Sequence, residues 1–130
     1  PKLVAAGYHK NRLRELMGLE TEELQAKRLL ASFDRYRGRE KAPKPPIAES
    51  AKRWLDEVFR PTVNQIPPEL EGRIELAQFF HEVLEHRWYL SEKAGHDVGL
   101  EFAAKSYVAE VLPYRRDSGV DVRKDGMIQQ

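Results

Sequence analysis

The chain has 130 residues, a third of them charged and 41% hydrophobic, a size and composition typical of one globular domain and not of a disordered chain. It contains no cysteine, which excludes a disulfide framework and a thiolate zinc site, and no apolar run approaches the roughly 18 residues of a membrane-spanning helix. We therefore expect a soluble, cytoplasmic protein without a membrane span. The net charge of +1 divides into +5 over residues 1–60 and −4 over residues 61–130, which suggests a basic face.

The chain begins at Pro1 and passes directly into Lys2, Leu3 and Val4, a short apolar piece that would suit the end of a strand. We therefore expect it to be a fragment of a longer protein. Removal of an initiator methionine before proline is the alternative.

Five segments have helical periodicity and none shows a convincing strand alternation, so the sequence predicts an all-α fold, a compact bundle of about five helices. The first helix is predicted from about His9 to Met17, ending at Gly18, a residue suited to a left-handed cap. Thr21 is expected to cap the second helix, and the Pro-rich stretch REKAPKPP after Gly38 to form a solvated linker.

The third helical stripe crosses Pro61, where we expect a kink or a break into a pair of helices, because proline removes a backbone hydrogen bond. The stripe comprises Ile47, Ala51, Trp54, Leu55, Val58, Thr62 and Ile66.

The fourth helix is predicted from about Glu75 to Ala94, stopping at Gly95. The fifth is predicted from about Gly99 to Leu112, stopped by Pro113, and Asp97 is expected to cap its start. We therefore place a helical domain at residues 1–113 and a short irregular tail at residues 114–130, in which a small hairpin is an alternative.

Arg87 lies in the middle of the predicted buried side of the fourth helix. The apolar residues of that side are Leu76, Phe79, Phe80, Val83, Leu84, Trp88 and Leu90. Because an uncompensated buried charge is costly, Arg87 needs an acceptor, with Asp56, Glu57, Asp97 or helix C-terminal carbonyls as candidates. A buried ion pair and an anion or ligand pocket are both open.

The hexapeptide HEVLEH resembles a zinc-protease motif but has the wrong spacing for one. His81 and His86 are five residues apart and therefore about 140° apart around a helix, too far for both rings to reach one ion. The spacing instead pairs His81 with Glu85 and Glu82 with His86. We assign no catalytic, cofactor-binding or metal-ligating residue, and no cofactor. The candidate functional or buried polar cluster is His81, Glu82, Glu85, His86, Arg87 and Trp88.

Two alternatives remain open at this point. The first is a metal-dependent or acid–base enzyme centred on HEVLEH, completed by His9 or His96. The second is a weak nucleic-acid-binding module on the basic first two helices, although the acidic residues among the basic ones favour a solvated mixed-charge face and no nucleic-acid partner. The basic residues are Lys10, Arg12, Arg14, Lys27, Arg28, Arg35, Arg37, Arg39, Lys41 and Lys44.

Several blocks, in order, resemble an actinobacterial domain of unknown function. They are PKLVAAGYHKNRLRELMGLE, QAKRLL, VNQIPPELEG, FHEVLEHRWYLSEKAGHDVG and SYVAEVLP, covering about Pro1 to Pro113. In that family the domain follows a segment resembling lipopolysaccharide kinases and other atypical kinases. The resemblance implies a non-catalytic accessory or interaction module, with an attached or associated kinase-like domain and a protein partner or second copy as expected partners.

Overall fold

The computed structural model describes residues 6–115, and these are entirely helical or irregular, without a strand. The prediction of an all-α fold is therefore confirmed. The α-helices are α1 (Tyr8–Met17), α2 (Glu23–Gly38), α3 (Ile47–Trp54), α4 (Arg60–Val63), α5 (Leu76–Ala94) and α6 (Leu100–Glu110). A π-turn at Leu55–Phe59 joins α3 to α4 in one run, which leaves five helical segments. Short 3₁₀ turns occupy Pro68–Leu70 and Leu112–Tyr114.

Residue contacts group the chain into two compact units, Pro1–Thr62 and Val63–Gln130. The predicted strand end at residues 2–4 and the alternative hairpin of the tail lie outside the described residues. Within residues 6–115, no helix combines the length and apolarity that crossing a bilayer requires.

In the first unit, α1, α2 and α3 pack on one another around aromatic and aliphatic side chains. Trp54 is fully buried, and its ring meets that of Phe33 edge to face with the centroids 6.2 Å apart. The other fully buried residues of this core are Leu13, Ala26, Leu29 and Ala51. Gly18 ends α1 in the left-handed conformation, as predicted, with φ at 74°.

The start of α2 differs from the prediction. The helix begins at Glu23, and the backbone N–H of Glu22 donates to Oε1 of Gln25 at 2.9 Å, the reciprocal arm of a capping box. Thr21 was therefore wrongly predicted as the cap. Its hydroxyl oxygen is buried and has no hydrogen-bond partner among the described residues.

The irregularity expected at Pro61 occurs as a π-turn one turn earlier. The N–H of Arg60 donates to the carbonyl of Leu55, five residues back, and the helix then continues through Pro61 without a break. Because a π-turn contains one extra residue, Phe59 rather than Val58 follows Trp54 on the buried side, with ring centroids 5.8 Å apart. The predicted stripe is also wrong at Ile47, which is exposed.

The linker between α2 and α3 is held at both ends by hydrogen bonds. Arg37 donates to the carbonyl of Pro45 at 3.0 Å and to the buried hydroxyl of Ser50 at 2.8 Å, and that hydroxyl donates to Glu40 at 2.7 Å. Lys44 donates to the carbonyls of Arg37 and Glu40 near the end of α2. The linker is largely exposed, as predicted, but hydrogen bonds fix it to the end of α2.

The second unit is built on α5 and α6, which pack against each other. Phe79 meets Tyr107 edge to face at 5.5 Å between centroids. Further buried residues of this core are Phe80, Val83, Ala103, Ala104 and Leu112.

The ends of α5 and α6 confirm one prediction and correct two. Gly95 ends α5 with a φ of 80°, as predicted. Asp97 is not the N-cap of α6: Gly99 is, and Asp97 accepts the N–H of Gly99 at 2.9 Å instead. Pro113 does not follow the helix directly but lies in the 3₁₀ turn after it. The predicted buried side of α5 is wrong for Leu76 and Trp88, which are 50% and 66% exposed.

Candidate functional site

The six candidate residues all lie on α5, but they form separate contacts. Residues three or four positions apart share one side of a helix, whereas those two apart point to nearly opposite sides. The segment from His81 to Trp88 therefore distributes its polar side chains around the helix, and each has to be taken with its own partners.

Glu82 is the centre of a polar group of four side chains among the described residues of the second unit. Arg115 donates to it twice, from Nε to Oε1 at 2.9 Å and from Nη2 to Oε2 at 2.6 Å. The hydroxyl of Tyr107 on α6 donates to Oε1, and Nε2 of Gln78, one turn earlier on α5, donates to Oε2 at 2.6 Å. We call Gln78, Glu82, Tyr107 and Arg115 the Glu82 cluster.

The charges of the Glu82 cluster stabilise one another. Burial alone would raise the pKa of Glu82, but hydrogen bonds from Arg115, Gln78 and Tyr107 outweigh it and lower that pKa to about 2. Burial and the hydrogen bond to Glu82 raise the pKa of Tyr107, and the same carboxylate raises the pKa of Arg115. Glu82 is therefore a carboxylate, and Tyr107 a neutral donor, throughout the physiological range.

The Glu82 cluster fastens the segment that follows α6 onto α5. Arg115 lies 33 residues after Glu82, and the ion pair is largely shielded, with side chains 21% and 20% exposed. Arg73 adds a second attachment, because its Nη1 donates to the carbonyl of Pro113 at 3.1 Å. These contacts fix residues 113–115 in place, and both carboxylate oxygens of Glu82 accept hydrogen bonds.

The two histidines of HEVLEH have different partners. His81 is buried, with Nε2 3.5 Å from Oε2 of Glu85, and its Nδ1 has no hydrogen-bond partner among the described residues. His86 Nε2 lies 2.9 Å from the hydroxyl of Ser106 on α6, and burial lowers the pKa of this imidazole. The predicted pair of His81 with Glu85 is present. The predicted pair of Glu82 with His86 is wrong, because Glu82 is held by the cluster around Arg115.

Arg87 has one of its predicted acceptors, Asp97. The contact is bidentate, with Nε to Oδ1 at 2.9 Å and Nη2 to Oδ2 at 2.5 Å. Arg87 is 20% exposed and Asp97 59% exposed, so this pair lies at the protein surface and not in the core. It ties α5 to the loop before α6.

Large aromatic side chains are exposed on both helices of the unit. Trp88 is 66% exposed, Tyr89 50% and Phe102 57%. The ammonium of Lys93 lies over the ring of Tyr89, 5.1 Å from its centroid. Trp54, by contrast, is fully buried in the core of the first unit.

The described residues contain no group of metal-ligating side chains for the first alternative function, and three basic residues of the second are paired within the chain. Across residues 6–115, no three His, Asp or Glu side chains are grouped so as to hold a metal ion. Among the basic residues of the first two helices and the linker, Arg14, Arg37 and Lys44 already contact Glu20, Glu40 and backbone carbonyls.

Sequence reasoning missed Arg115, Tyr107 and Gln78 as partners of Glu82. Gln78 had a usable signal, because it precedes Glu82 by four residues on the same helix. Tyr107 is a buried tyrosine, and the hydroxyl of such a residue usually needs a hydrogen-bond partner. Arg115 had no local signal, since it follows the last helix.

The fold and these contacts define an all-α domain in which α5 carries both the Glu82 cluster and exposed aromatic side chains. A family model matches residues 1–112, that of DUF4032, a domain of unknown function, and the chain belongs to this family. No curated protein and no solved structure matches it.

Proposed function

We propose that this chain is a non-catalytic accessory or interaction module of a kinase-like protein. The observation that carries the proposal is the exposure of Trp88 on α5, which is 66% exposed although another side of the same helix is buried in the core. Tryptophan is among the residue types most enriched at the energetic centres of protein interfaces. The family resemblance supplies the kinase-like partner.

The polar residues around Trp88 support an accessory role. Glu82 is saturated by donors, Arg87 is paired with Asp97, and His86 is engaged by Ser106. These contacts stabilise the helix that presents the tryptophan. A general base or nucleophile would instead need a free lone pair directed at substrate.

The test uses the full-length protein as it is encoded in the cell, with and without residues 1–113. Nucleotide binding and phosphoryl transfer are measured on both, and proteins that co-purify are identified by mass spectrometry. We expect removal to change the transfer rate or to release a kinase-like polypeptide. Nucleotide turnover by the isolated 130-residue chain, or identical transfer and identical kinase-like partners in both proteins, would overturn the proposal.

A further inference from the structure

One face of α5 combines an exposed indole with carboxylates. Glu85, Trp88 and Glu92 follow one another at spacings of three and four residues, which places them on one side of the helix. All three are exposed: Trp88 is 66% exposed, the Glu85 side chain is 51% exposed, and Glu92 lies in solvent. We call these three residues the Trp88 face.

The Trp88 face points away from the partner helix of its own unit. His86 contacts Ser106 on α6, and Trp88 lies two residues further on, about 200° around the helix. No packing within the α5 and α6 pair can therefore cover the indole. An exposed tryptophan on the outer side of a regular helix is available for a partner.

The charges around the indole select the chemistry of that partner. A carboxylate stands on each side of Trp88 along the helix, and residues 63–115 hold nine acidic against five basic side chains, a net charge of −4. A guanidinium can stack on an indole while donating in bidentate fashion to a carboxylate, which a lysine ammonium does less well. The neighbouring Tyr89 already holds the Lys93 ammonium over its ring.

We propose that the Trp88 face docks an arginine-bearing segment of a partner protein, with a guanidinium stacked on Trp88 and paired to Glu85 or Glu92. The inference rests on the proposed function and names the chemistry of the partner surface. Glu85 also contacts His81 at 3.5 Å, so Glu92 is the carboxylate with more freedom to engage a ligand.

The probe is a blocked, alanine-based helical peptide of about 16 residues with arginines three and four positions apart, compared with the same peptide carrying glutamates. Binding is followed on the complete 130-residue chain by intrinsic fluorescence and acrylamide quenching. Because Trp54 is fully buried, the quenchable emission comes from Trp88. We expect the arginine peptide, and not the glutamate peptide, to protect this emission, and the protection to weaken as salt rises from about 50 mM to about 300 mM.

Three variants test the face. We expect Trp88→Ala and Glu92→Lys each to weaken binding, measured by calorimetry, by about tenfold or more. Glu71→Lys is the matched control, since it changes the net charge equally at an exposed residue outside α5 and should change affinity by less than about twofold. Circular dichroism and thermal unfolding of each variant check that it folds.

Four outcomes would overturn the inference: no protection by the arginine peptide, equal protection by the glutamate peptide, equal weakening by Glu71→Lys and Glu92→Lys, or concentration-dependent self-association that Trp88→Ala abolishes. The full-length protein separates this inference from the proposed function. If removing residues 1–113 releases the kinase-like polypeptide but Trp88→Ala and Glu92→Lys do not, the module stands and the docking face is rejected.

Discussion

The side chain of Glu82 joins three parts of the second unit. Three side chains donate to its carboxylate, and they come from α5, from α6 and from the segment after α6. Its neighbour Glu85 is half exposed, and its Oε2 lies 3.5 Å from Nε2 of His81. We therefore expect these two glutamates, three residues apart on one helix, to contribute differently to the free energy of unfolding.

Replacing Glu82 with alanine should destabilise the fold markedly. The change leaves a largely shielded guanidinium and a buried phenol without their acceptor, so we expect a loss of about 2–3 kcal/mol in the free energy of unfolding. Urea denaturation followed by circular dichroism measures it. Glu85→Ala is the matched control, for which we expect a loss below about 0.5 kcal/mol. Equal losses for both variants would contradict the assignment.

Glu23 acts as a cap for a helix to which it does not belong. Gly7 offers no side-chain cap at the start of α1, and the Glu23 carboxylate accepts the N–H groups of His9 at 3.2 Å and Lys10 at 3.0 Å. A hydrogen bond from the His9 side chain, with Nδ1 at 2.5 Å, lowers the pKa of Glu23. Two N–H groups in the first turn of α1 thus have their acceptor on α2.

Glu23→Ala should loosen the first turn of α1 specifically. We expect faster amide hydrogen exchange at His9 and Lys10, because both N–H groups lose their acceptor. Glu15→Ala, an exposed change within α1, serves as the control and should leave those two amides unchanged. Unaltered exchange at His9 and Lys10 in Glu23→Ala would show that the carboxylate is not their acceptor in solution.

At the scale of the elements, the π-turn decides which side chains face the core after Trp54. A regular helix would present Val58, four residues on, whereas the extra residue presents Phe59. An extra residue in a helix can be removed without rotating the flanking segments relative to one another. The π-turn is therefore a place where the chain tolerates a change in length.

Deleting Asp56 should convert the π-turn into regular α-helix and keep Trp54 and Phe59 on the same side. Asp56 is exposed and pairs only with Arg60 in the described contacts, so we expect a change in the free energy of unfolding within about 1 kcal/mol. Deleting exposed Lys52 instead rotates Ala51 by about 100° relative to Trp54 and should unfold the first unit. Thermal denaturation compares the two, and a worse result for the Asp56 deletion than for the Lys52 deletion would contradict this view.

Two helix ends that each depend on one glycine were predicted correctly from the sequence, whereas features that depend on the surrounding structure were not. Gly18 and Gly95 predicted the ends of α1 and α5, because a left-handed cap depends on the residue itself. The burial of Phe59 could not be predicted from a periodicity that assumes 3.6 residues per turn.

The candidate site was foreseen only in part, for the same reason. The pair of His81 with Glu85 was predicted from their spacing, and Asp97 was one of the candidate acceptors for Arg87. The partner of Glu82 depends on where the chain returns after α6, which a helical wheel does not contain. The exposure of Trp88 likewise depends on which neighbours the helix receives, and not on its own apolar stripe.

For the whole molecule, acid should weaken the fold through its carboxylates. The pKa of Glu82 is about 2 in the folded state against an ordinary value of 4.5. Its contribution is therefore fully present above pH 4.5 and is lost as the pH falls towards 2, a difference of about 3 kcal/mol. The lowered pKa of Glu23 acts in the same direction.

Urea unfolding at a series of pH values should show this loss directly. We expect stability to decline between about pH 4.5 and pH 2 in the native protein. In Glu82→Gln we expect lower stability at neutral pH and a shallower decline, because the titrating group is absent. Parallel curves for the two proteins would assign the acid sensitivity to other carboxylates.

The attachment of Arg115 to Glu82 bears on where the chain can be cut. Helix-stop signals and the family match both suggest ending a shortened chain at Leu112 or Pro113. Such a chain would lack the Arg115 guanidinium and leave the shielded Glu82 carboxylate without its ion-pair partner. Such a truncation should give a poor yield or a lower unfolding temperature, because it lacks Arg115. Subcloning should therefore retain at least Arg115, so that behaviour attributed to the domain is not caused by a missing side chain.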